Sequence, residues 1–589
     1  MNAAQLVRDA ISKQIAKHTS CSEAHIARFL GMPKPQRQNQ FTLPLPRLQP
    51  FLSSSKQQDL APLIQSGPWL EKVDKQGAFL QFSFPLSNYI KHTLHQVYDE
   101  QNNYGCQQPC NKTVLIDYSS PNIAKPFHAG HLRSTILGNF IHKIHKAMGF
   151  HAIGINYLGD WGKQYGLLAV GYEKYGDENL LARDPIQHLY QVYVAINKDV
   201  LNDNSIDVAA NQYFQRMEHG DEAALAQWRC FRELSIDSYR GMYDRLGIQF
   251  DEYAGESMAE PLLSQVYERL DRKGLLQHQD DGRWLVDLEA LGHEGLGRPV
   301  LRRQDGTSLY LTRDLASLLL RQERHGFDKA VYVIGAEQSL HMKQLFAIWR
   351  LMTGDERDVL HHAGFGRVQG MSTRKGTVVF LEDILDVAQE TMLGNMQQDE
   401  TKYQELLDQG ITANSPNGNT QHLTGSTAVD FVADKLGASA VIIQDVAAKR
   451  IKNYTFAWDR MTQARGYTGV FLQFTHARLC GIERHAPFDV SRADDIASLV
   501  DSDAAVELAL TISQYPDIVQ QSYETMEPST LVQYLFRLAH STGQATSSLR
   551  VKDIPDVSVA QSRLLLFSSA KTTLANGLRL LGIEPLERI

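Results

Sequence analysis

The sequence predicts a multidomain protein in which a doubly wound, Rossmann-like α/β domain lies between an N-terminal α+β domain and a C-terminal all-α domain. The 589 residues suffice for three or four domains of about 100–200 residues each. In the middle of the chain, short apolar runs alternate with helical patterns, which is typical of a parallel sheet with crossover helices. Almost wholly helical patterns follow. We expect domains at 1–110, 111–435 and 436–589, with an insertion at about 170–300 in the second.

The composition is that of an ordinary folded protein. Hydrophobic residues make up 43% of the chain and charged residues 21%, which excludes a mainly disordered chain. No apolar run reaches the about 18 residues that a membrane helix needs, so no membrane partner is expected. Five scattered cysteines fit a reducing compartment. Cys106 and Cys110 have no second pair nearby, so no metal site is predicted.

The N-terminal residues bear on the compartment. The first 18 residues lack the apolar stretch of a secretory signal. They are weakly basic and fit an amphipathic helix, so a mitochondrial presequence is an alternative. Asp9 and the absence of arginine and serine clusters count against it. We therefore expect a cytoplasmic protein, with the mitochondrial matrix as the alternative.

Two stretches are locally basic although the formal net charge is −8. There is no Asp or Glu from Tyr118 to Gly159, and from Lys449 to Arg484 seven Lys or Arg residues stand against two acids, a net charge of +5. Phosphate binding follows such local fields rather than the total charge. A solvated face is the alternative for each stretch taken alone.

The elements of the N-terminal and central domains are predicted from short patterns. Phe79–Phe84 alternates as a half-buried strand does, and a helical stretch follows at about 88–100. A turn-rich segment at 103–111 ends the domain. Val114–Asp117 and Ala330–Ile334 are apolar runs typical of buried parallel strands, and helical patterns follow them at Leu132–Met148 and up to about Met352.

The C-terminal part is predicted to begin after a loop and to end in a capped helix. Gln409–Thr427 is rich in Asn, Gly, Thr and Ser, so a surface loop is expected there. The last helix is expected at about 558–581. Gly582 occupies the C-terminal cap position and Pro585 follows it.

The segment Ser119–Ser134 carries the strongest functional signal. It leads from a buried strand through a loop into a helix, and a helix N-terminus offers free N–H groups and positive potential to a phosphate. Gly130 would let a nucleotide lie close to the backbone, and His128 and His131 would share one helix face. Surface histidines or a metal pair are the alternatives, but further metal ligands at suitable spacing are not evident.

This segment resembles the first signature of class I aminoacyl-tRNA synthetases, usually written HIGH. Their second signature, KMSKS, has a degenerate counterpart at Gly370–Gly376. Met371 and Ser372 match it, Gly370 and Thr373 stand where lysines are usual, and Arg374 and Lys375 follow.

The chain resembles the arginyl-tRNA synthetases in particular. These enzymes commonly combine a degenerate second signature with a lysine just before the first, and Lys125 occupies that position. The resemblance covers essentially the whole chain, from the N-terminal domain to the last residue. Further matching stretches are Tyr157–Tyr165, Tyr253–Ser257, Tyr310–Asp314, Tyr332–Gln338, Thr468–Arg478 and Leu580–Arg588.

The resemblance implies an enzyme that uses ATP and Mg²⁺ to activate L-arginine and then transfers it to the terminal adenosine of arginine tRNA. It also implies a monomer that needs tRNA before it activates the amino acid. The implied catalytic residues are Lys125, His128, His131, Ser372, Arg374 and Lys375, and the implied ATP contacts are Lys125, His128, Gly130, His131, Met371 and Ser372.

Guanidinium is planar, always charged and well matched by carboxylates, so an arginine pocket needs acids. By family position the substrate contacts would be Ser120, Asn122, His128, Glu256, Tyr310, Asp314 and Gln338, with Glu256, Tyr310 and Asp314 at the guanidinium and Asn122 and Gln338 at the α-amino end. The N-terminal domain would touch the tRNA elbow, and the C-terminal helices would read the anticodon. The implied tRNA contacts are Gln76, Phe79, Gln81, Arg460, Arg465 and Arg478.

Several alternatives stay open. Phe79 could stack on a flipped base, or it could belong to the core. A synthetase for another amino acid, a non-catalytic tRNA-binding relative and a small adenylyltransferase are the rival functions. The length and the helical C-terminal part count against the adenylyltransferase.

Overall fold

The computed structural model describes residues 1–31, 39–52, 60–127, 129–370, 380–414, 420–458, 463 and 466–589. In the N-terminal part, strand Phe79–Ser83 lies between Gln40–Pro44 and Lys72–Gln76 in an antiparallel sheet. Leu80 and Phe82 are buried and face the core, so the predicted strand is confirmed. The helices of this part are Ala3–Ala16, Glu23–Phe29 and Leu86–Glu100.

The central domain contains a five-stranded parallel sheet. From one edge to the other its strands are Leu360–His362, Lys329–Tyr332, Thr113–Asp117, His151–Leu158 and Glu252–Gly255. The strand order reverses direction between Thr113–Asp117 and Lys329–Tyr332, which defines the switch point of a doubly wound fold. The predicted fold class and both predicted strands are confirmed.

Helices cover both faces of this sheet because its apolar side chains alternate. Val114 and Ile116 pack into the core that contains Ile136 and Phe140 of helix Ala129–Ala147. Leu115 faces the second core, with residues of helices Tyr310–His325 and Ser339–Thr353. The sheet is therefore buried on both sides, as parallel sheets are.

The predicted insertion at 170–300 is wrong in one respect. Strand Glu252–Gly255 lies within it and forms an edge of the central sheet, so two separate segments are inserted. The strand has four residues and an incompletely buried pattern, which is too short for a periodic signal. The first segment contains helices Lys163–Tyr175, Glu178–Arg183, Pro185–Val200, Asn204–Glu218 and Glu222–Arg245; the second contains helices Glu256–Ala259 and Leu263–Arg272 and short strands Gln277–His278, Trp284–Leu285 and Val300–Arg302.

The loop predicted at Gln409–Thr427 is also wrong. Strands Ile411–Asn414 and Thr420–Leu423 pair as an antiparallel hairpin, and a helix begins at Gly425. Ile411 and Ala413 are the buried residues among those described in the hairpin, and Leu423 packs partly against the core, so the polar composition hid the alternation. Helices Leu381–Met396 and Glu400–Gln409 precede the hairpin, and helix Gly425–Val446 follows it and spans the boundary expected at 435/436.

The C-terminal part is a helical bundle, and its only described strand, Tyr454–Thr455, pairs with Val368–Gln369 of the central domain. The last helix ends as predicted. Gly582 has φ +84°, its N–H donates to Arg579 O at 3.0 Å, and the N–H of Ile583 donates to Leu578 O at 2.9 Å, which is a Schellman cap. The bundle helices are Gly469–Arg484, Ala497–Val500, Asp503–Ser513, Tyr515–Thr525, Pro528–Ser548 and Val557–Leu580.

None of the helices within the described ranges is long and apolar enough to cross a membrane.

Candidate active site

The carboxyl ends of the parallel strands meet at one edge of the sheet, where ligands bind in doubly wound folds. Ser120 and Asn122 follow the strand that ends at Asp117. Glu256 follows Gly255, and Gln338 lies in the turn after Tyr332. The fold therefore brings to this edge four of the residues predicted to contact the amino acid.

The loop after the first strand has a constrained backbone. Ser119, Ser120 and Ala124 have φ values of 73°, 52° and 58°, a region that residues with side chains rarely adopt. The N–H of Ser119 donates to Ser134 Oγ at 3.0 Å, and that of Ser120 donates to Asn156 Oδ1 at 3.1 Å. Such strain persists where the surroundings fix it, and it clusters at active sites.

Asn122 is positioned by close backbone packing against the loop that follows strand His151–Leu158. The N–H of Gly159 donates to Pro121 O at 3.1 Å, and the N–H of Ile123 donates to Gly159 O at 3.2 Å. A Cβ atom on Gly159 would lie 2.0 Å from Asn122 Oδ1, so a larger residue at this position would displace the Asn122 amide. The Asn122 amide is thus held at the carboxyl edge of the sheet.

The first-signature residues lie at the start of helix Ala129–Ala147. Gly130 is exposed there, and the ring of His131 meets the edge of Phe127 at a centroid distance of 5.6 Å. Lys125 is partly exposed, with Nζ 4.7 Å from the ring centroid of Tyr193 on the inserted helices. His128 lies outside the described residues.

Two of the acids predicted to hold the guanidinium, Glu256 and Asp314, lie close enough to repel each other, and we call their site the acidic pocket. Glu256 Oε2 accepts a hydrogen bond from Arg313 Nη1 at 3.0 Å, and both side chains are largely buried. Asp314 Oδ2 accepts one from His341 Nε2 at 2.6 Å, and Asp314 remains 30% exposed. Each acid therefore has a basic partner, and Asp314 is the more exposed of the two. Tyr310, at the start of the same helix, is exposed, as is Gln338.

Burial raises the pKa of Glu256 to about 7, because the carboxylate loses hydration. The positive charge of Arg313 lowers the pKa but does not compensate for this loss, and repulsion by Asp314 and Asp160 raises it further. Burial likewise raises the pKa of Tyr157 well above its ordinary value, and the charges of Asp314 and Glu256 add to this. Glu256 and Tyr157 thus share a weakly hydrated place in which neighbouring acids raise the pKa of both groups.

Asp160 connects the end of strand His151–Leu158 with the end of strand Glu252–Gly255. It is fully buried, and it accepts hydrogen bonds from Arg232 Nε at 2.8 Å and from the N–H and Oγ of Ser257, both at 2.9 Å. A Cβ atom on Gly255 would lie 2.1 Å from Asp160 Oδ2. These contacts fix the backbone on both sides of Glu256.

A buried ion pair anchors the helix that carries Tyr310, Arg313 and Asp314. Arg321 of that helix donates to Asp117 Oδ2 at 2.6 Å beneath the switch point. Its other terminal nitrogen donates to the Tyr332 hydroxyl at 3.1 Å. The acidic pocket is therefore tied to both strands at the switch point.

Arg133, two residues after His131, connects the first-signature helix with the base of the second-signature loop. It is 1% exposed, and its Nη1 donates to Gly366 O at 2.6 Å and to Lys452 O at 2.7 Å. Its Nε lies 3.7 Å from the buried carboxylate of Asp445. The second-signature residues named above, Met371, Ser372, Arg374 and Lys375, lie outside the described residues.

The candidate tRNA contacts differ in their exposure to solvent. Phe79 is 45% exposed, so the alternative that it belongs to the core is wrong. Gln81 is only 3% exposed, and its amide donates to Gln76 Oε1 at 2.6 Å. Arg478 is exposed on the C-terminal bundle. Arg460 and Arg465 lie outside the described residues.

The sequence patterns did not predict roles for Arg313, His341, Asp160 and Arg133. Arg313 and Asp160 stand within stretches that match the family, which was the available signal. His341 and Arg133 had none that assigned a role, because their partners are far away in the chain. In the described part of the chain, no three His, Cys, Asp or Glu side chains are grouped to hold a metal ion.

The chain matches two family models. Residues 93–458 match the catalytic domain of class I tRNA synthetases (R), and residues 472–589 match the DALR anticodon binding domain. The probable cytoplasmic arginine–tRNA ligase of Dictyostelium discoideum is 40% identical over 614 residues, covering 99% of this chain and 100% of that protein. The mitochondrial arginine–tRNA ligase of Saccharomyces cerevisiae is 39% identical, covering 98% and 88%.

A solved structure has the same fold over nearly the whole chain. The arginyl-tRNA synthetase of Thermus thermophilus superposes with a TM-score of 0.75 at 17% identity, covering 99% of this chain and 100% of that one. At this identity the likeness supports the architecture described above.

Proposed function

The chain belongs to the class I arginyl-tRNA synthetase family, and from that premise we propose how its site joins L-arginine to the terminal adenosine of arginine tRNA at the expense of ATP. The observation that carries the proposal is the acidic pocket of Asp314 and Glu256, which act together on Tyr157 near the end of strand His151–Leu158, and the helix of Asp314 is anchored to Asp117 at the switch point. The guanidinium group of arginine is the cation that this pocket fits.

Asp314 is the acid that takes the guanidinium in this proposal. Its Oδ2 accepts from His341, and an ionised carboxylate has about four lone-pair sites, so its other oxygen can accept the substrate. Glu256 contributes through its charge, because Arg313 already occupies one of its oxygens. Tyr310 covers the entrance from the exposed start of the same helix. Asn122, Ser120 and Gln338 hold the α-amino end.

The reaction has two steps. The arginine carboxylate attacks the α-phosphate of ATP, a P–O bond forms, and magnesium pyrophosphate leaves. The 2′-hydroxyl of the terminal adenosine then attacks the carbonyl carbon of arginyl-adenylate, and AMP leaves with the electron pair of the broken C–O bond. Such chemistry depends on positioning and charge stabilisation rather than on a protein nucleophile. Mg²⁺ enters with the phosphates of ATP as part of the substrate.

The charge stabilisation comes from the groups around the first-signature helix. In this proposal His128, His131, the backbone near Gly130 and Lys125 bind the phosphates from one side. The loop with Met371, Ser372, Arg374 and Lys375 binds them from the other. Arg133 supports this arrangement, because it bonds to Gly366, which precedes that loop, and to Lys452, which precedes the strand paired with Val368–Gln369.

His131→Ala should lower the rate of arginyl-adenylate formation about a hundred- to a thousandfold, which corresponds to the loss of one well-placed donor to a developing charge. Single-turnover formation of the adenylate with tRNA present measures it. His151→Ala is the matched control, because His151 is an exposed histidine at the start of a strand. A His131→Ala enzyme with near-normal turnover would exclude a role in phosphate binding.

The KM for arginine should fall about tenfold between pH 6 and pH 8, because an acid with a pKa of about 7 becomes ionised over this range. The charged carboxylate attracts the guanidinium, which stays protonated throughout, so affinity rises with pH. Glu256→Gln should abolish most of this dependence, and Glu323→Gln, an exposed change on the helix of Asp314, should retain it. Equal pH profiles for the wild type and Glu256→Gln would contradict this role.

Charging of purified arginine tRNA with each amino acid in turn tests the proposed function. Arginine alone should be attached, and ATP–pyrophosphate exchange should require tRNA. Attachment of a different amino acid would refute the assignment of the pocket. Exchange with arginine and ATP alone would refute only the dependence on tRNA.

The compartment and the oligomeric state belong to the same proposal. We place the protein in the cytoplasm as a monomer, with the mitochondrial matrix as the alternative. Relatives named for each compartment have nearly equal identity to this chain. For the N-terminal domain we propose that Phe79 stacks on a base at the tRNA elbow beside Gln76, whose side chain the buried Gln81 orients through its hydrogen bond. Arg460, Arg465 and Arg478 would contact the anticodon arm.

A further inference from the structure

Residues 364–370, which lead into the second signature, pack along residues 450–456, which we call the bridging segment. A Cβ atom on Gly366 would lie 2.6 Å from the carbonyl carbon of Lys452, so the two backbones are in close contact. Because the contact reaches Gln369, the bridging segment fixes where the chain enters the second signature. The hydrogen bonds across it run from the N–H of Gly366 to Arg450 O (3.0 Å), of Arg367 to Asn453 Oδ1 (2.7 Å), of Tyr454 to Arg367 O (3.2 Å) and of Phe456 to Gln369 O (2.9 Å).

The bridging segment is held in turn by Glu527, which stands immediately before helix Pro528–Ser548 of the C-terminal bundle. Its two carboxylate oxygens accept the N–H of Arg450 at 3.1 and 3.2 Å. Oε1 also accepts from the hydroxyl of Ser529 at 3.0 Å, and the N–H of Glu527 donates to Ser522 O at 3.1 Å. The carboxylate is thus fixed within the bundle and bound to the first residue of the bridging segment.

The side chain of Arg450 connects the same elements a second time. Its Nη1 donates to Gly364 O, on the approach to the second signature. Burial lowers the pKa of this guanidinium, the charge of Glu527 opposes the change, and the nearby Arg133 adds to it. A partly buried cation next to another cation needs such a counter-charge. Glu527 therefore supports both the backbone and the side chain of Arg450.

Gly366 is the residue at which these contacts meet the first signature. Its N–H donates to Arg450 O, and its carbonyl oxygen accepts from Arg133 Nη1 at 2.6 Å. Arg133 lies on the first-signature helix, two residues after His131. Coupling between distant sites is carried by such contiguous contacts between packed elements. Contacts through Arg450 and Gly366 therefore lead from Glu527 to both signatures.

We propose that Glu527 is a positioning residue for arginine activation, because through Arg450 it fixes the two signatures relative to each other. The inference rests on the proposed function, in which the signatures bind the phosphates of ATP from two sides. Pyrophosphate leaves in the first step only, and the transfer of arginine to tRNA does not involve it. The step that depends on Glu527 is therefore the formation of arginyl-adenylate.

Two assays with the full chain separate positioning from stability. The first is ATP–pyrophosphate exchange with arginine in the presence of arginine tRNA, which follows adenylate formation. The second is AMP-dependent deacylation of purified arginyl-tRNA without pyrophosphate, the reverse of the transfer step. In it a phosphate oxygen of AMP attacks the ester carbonyl, the terminal ribose oxygen leaves with the electron pair and takes up a proton, and arginyl-adenylate forms. Both reactions need the same fold, the same tRNA and the same arginine pocket.

Glu527→Ala should slow the exchange about ten- to a hundredfold, the size of effect that misplacement by about 1 Å produces. The rate of deacylation and the KM for arginine should stay unchanged. Glu527→Gln keeps one oxygen for the N–H of Arg450 and should slow the exchange less. Glu524→Ala, at an exposed acid of the preceding helix, is the matched control and should leave both rates unaltered.

Asn453→Ala tests the same connection from the bridging segment, because it removes the acceptor for the N–H of Arg367. It should also slow the exchange and spare deacylation. Unchanged exchange in both alanine variants would overturn the proposal, and so would equal slowing of the two reactions, which would show a structural role only. If the wild-type chain attached no arginine to its tRNA, the proposed function would fail as well; if it did, these results would bear on Glu527 alone.

Discussion

Asp314→Asn should raise the KM for arginine and lower kcat/KM roughly thirty- to several-thousandfold, which corresponds to a loss of about 2–5 kcal/mol of interaction free energy. The substitution keeps the shape of the side chain but removes the charge that the guanidinium would pair with. The asparagine amide also turns a donor toward the five donors of the guanidinium. Steady-state aminoacylation at varied arginine concentration measures the effect.

The binding of ATP provides an internal control for Asp314→Asn. The KM for ATP should change little, because the proposed phosphate site is at the first-signature helix. Asp271→Asn, a change of the same kind at an exposed site, should leave both constants unaltered. An unchanged KM for arginine in Asp314→Asn would move the guanidinium site away from this helix.

Arg133→Met should destabilise the protein by about 3–5 kcal/mol, because it leaves the buried carboxylate of Asp445 without its cation. The lower end of this range is expected, since the 3.7 Å from Arg133 Nε to Asp445 Oδ1 exceeds a hydrogen bond. Burial already raises the pKa of Asp445 to about 6, and Arg133 opposes that rise. Urea unfolding of the purified variant measures the loss.

A double variant separates the two roles of Arg133. Arg133→Met with Asp445→Asn should recover much of the stability, because no buried charge is left unpaired. Adenylate formation should stay low, because Gly366 and Lys452 are no longer tied to the first-signature helix. Arg283→Met, at a half-exposed surface arginine, is the control. If Arg133→Met is as stable and active as the wild type, the inferred connection is wrong.

Local patterns predicted much of the fold. Val114–Asp117 and Ala330–Ile334 are apolar runs long enough to identify buried strands, and the end of the last helix follows from Gly582. Strand Glu252–Gly255 and the hairpin at 411–423 escaped prediction because each has two buried residues among those that the structure describes. Such short strands are specified by their neighbours in space rather than by their own sequence.

The candidate site also has residues that could be predicted from sequence and residues that could not. Ser120, Asn122, Glu256 and Gln338 follow strands, and parallel topology alone places them at one edge. The ion pair of Arg313 with Glu256 could not be foreseen, because it joins residues 57 positions apart. Arg133 contacts residues 233 and 319 positions away. Contacts of this range depend on the packing of whole domains.

Competition between arginine and citrulline tests the central claim most directly. Citrulline has nearly the shape of arginine but carries a neutral urea group, so it would leave the acids of the pocket without a cation. With arginine tRNA present, kcat/KM for citrulline should be lower than that for arginine by a factor of about 10⁴ or more. Charging of citrulline at a rate comparable with that of arginine would show that Asp314 and Glu256 do not select the substrate.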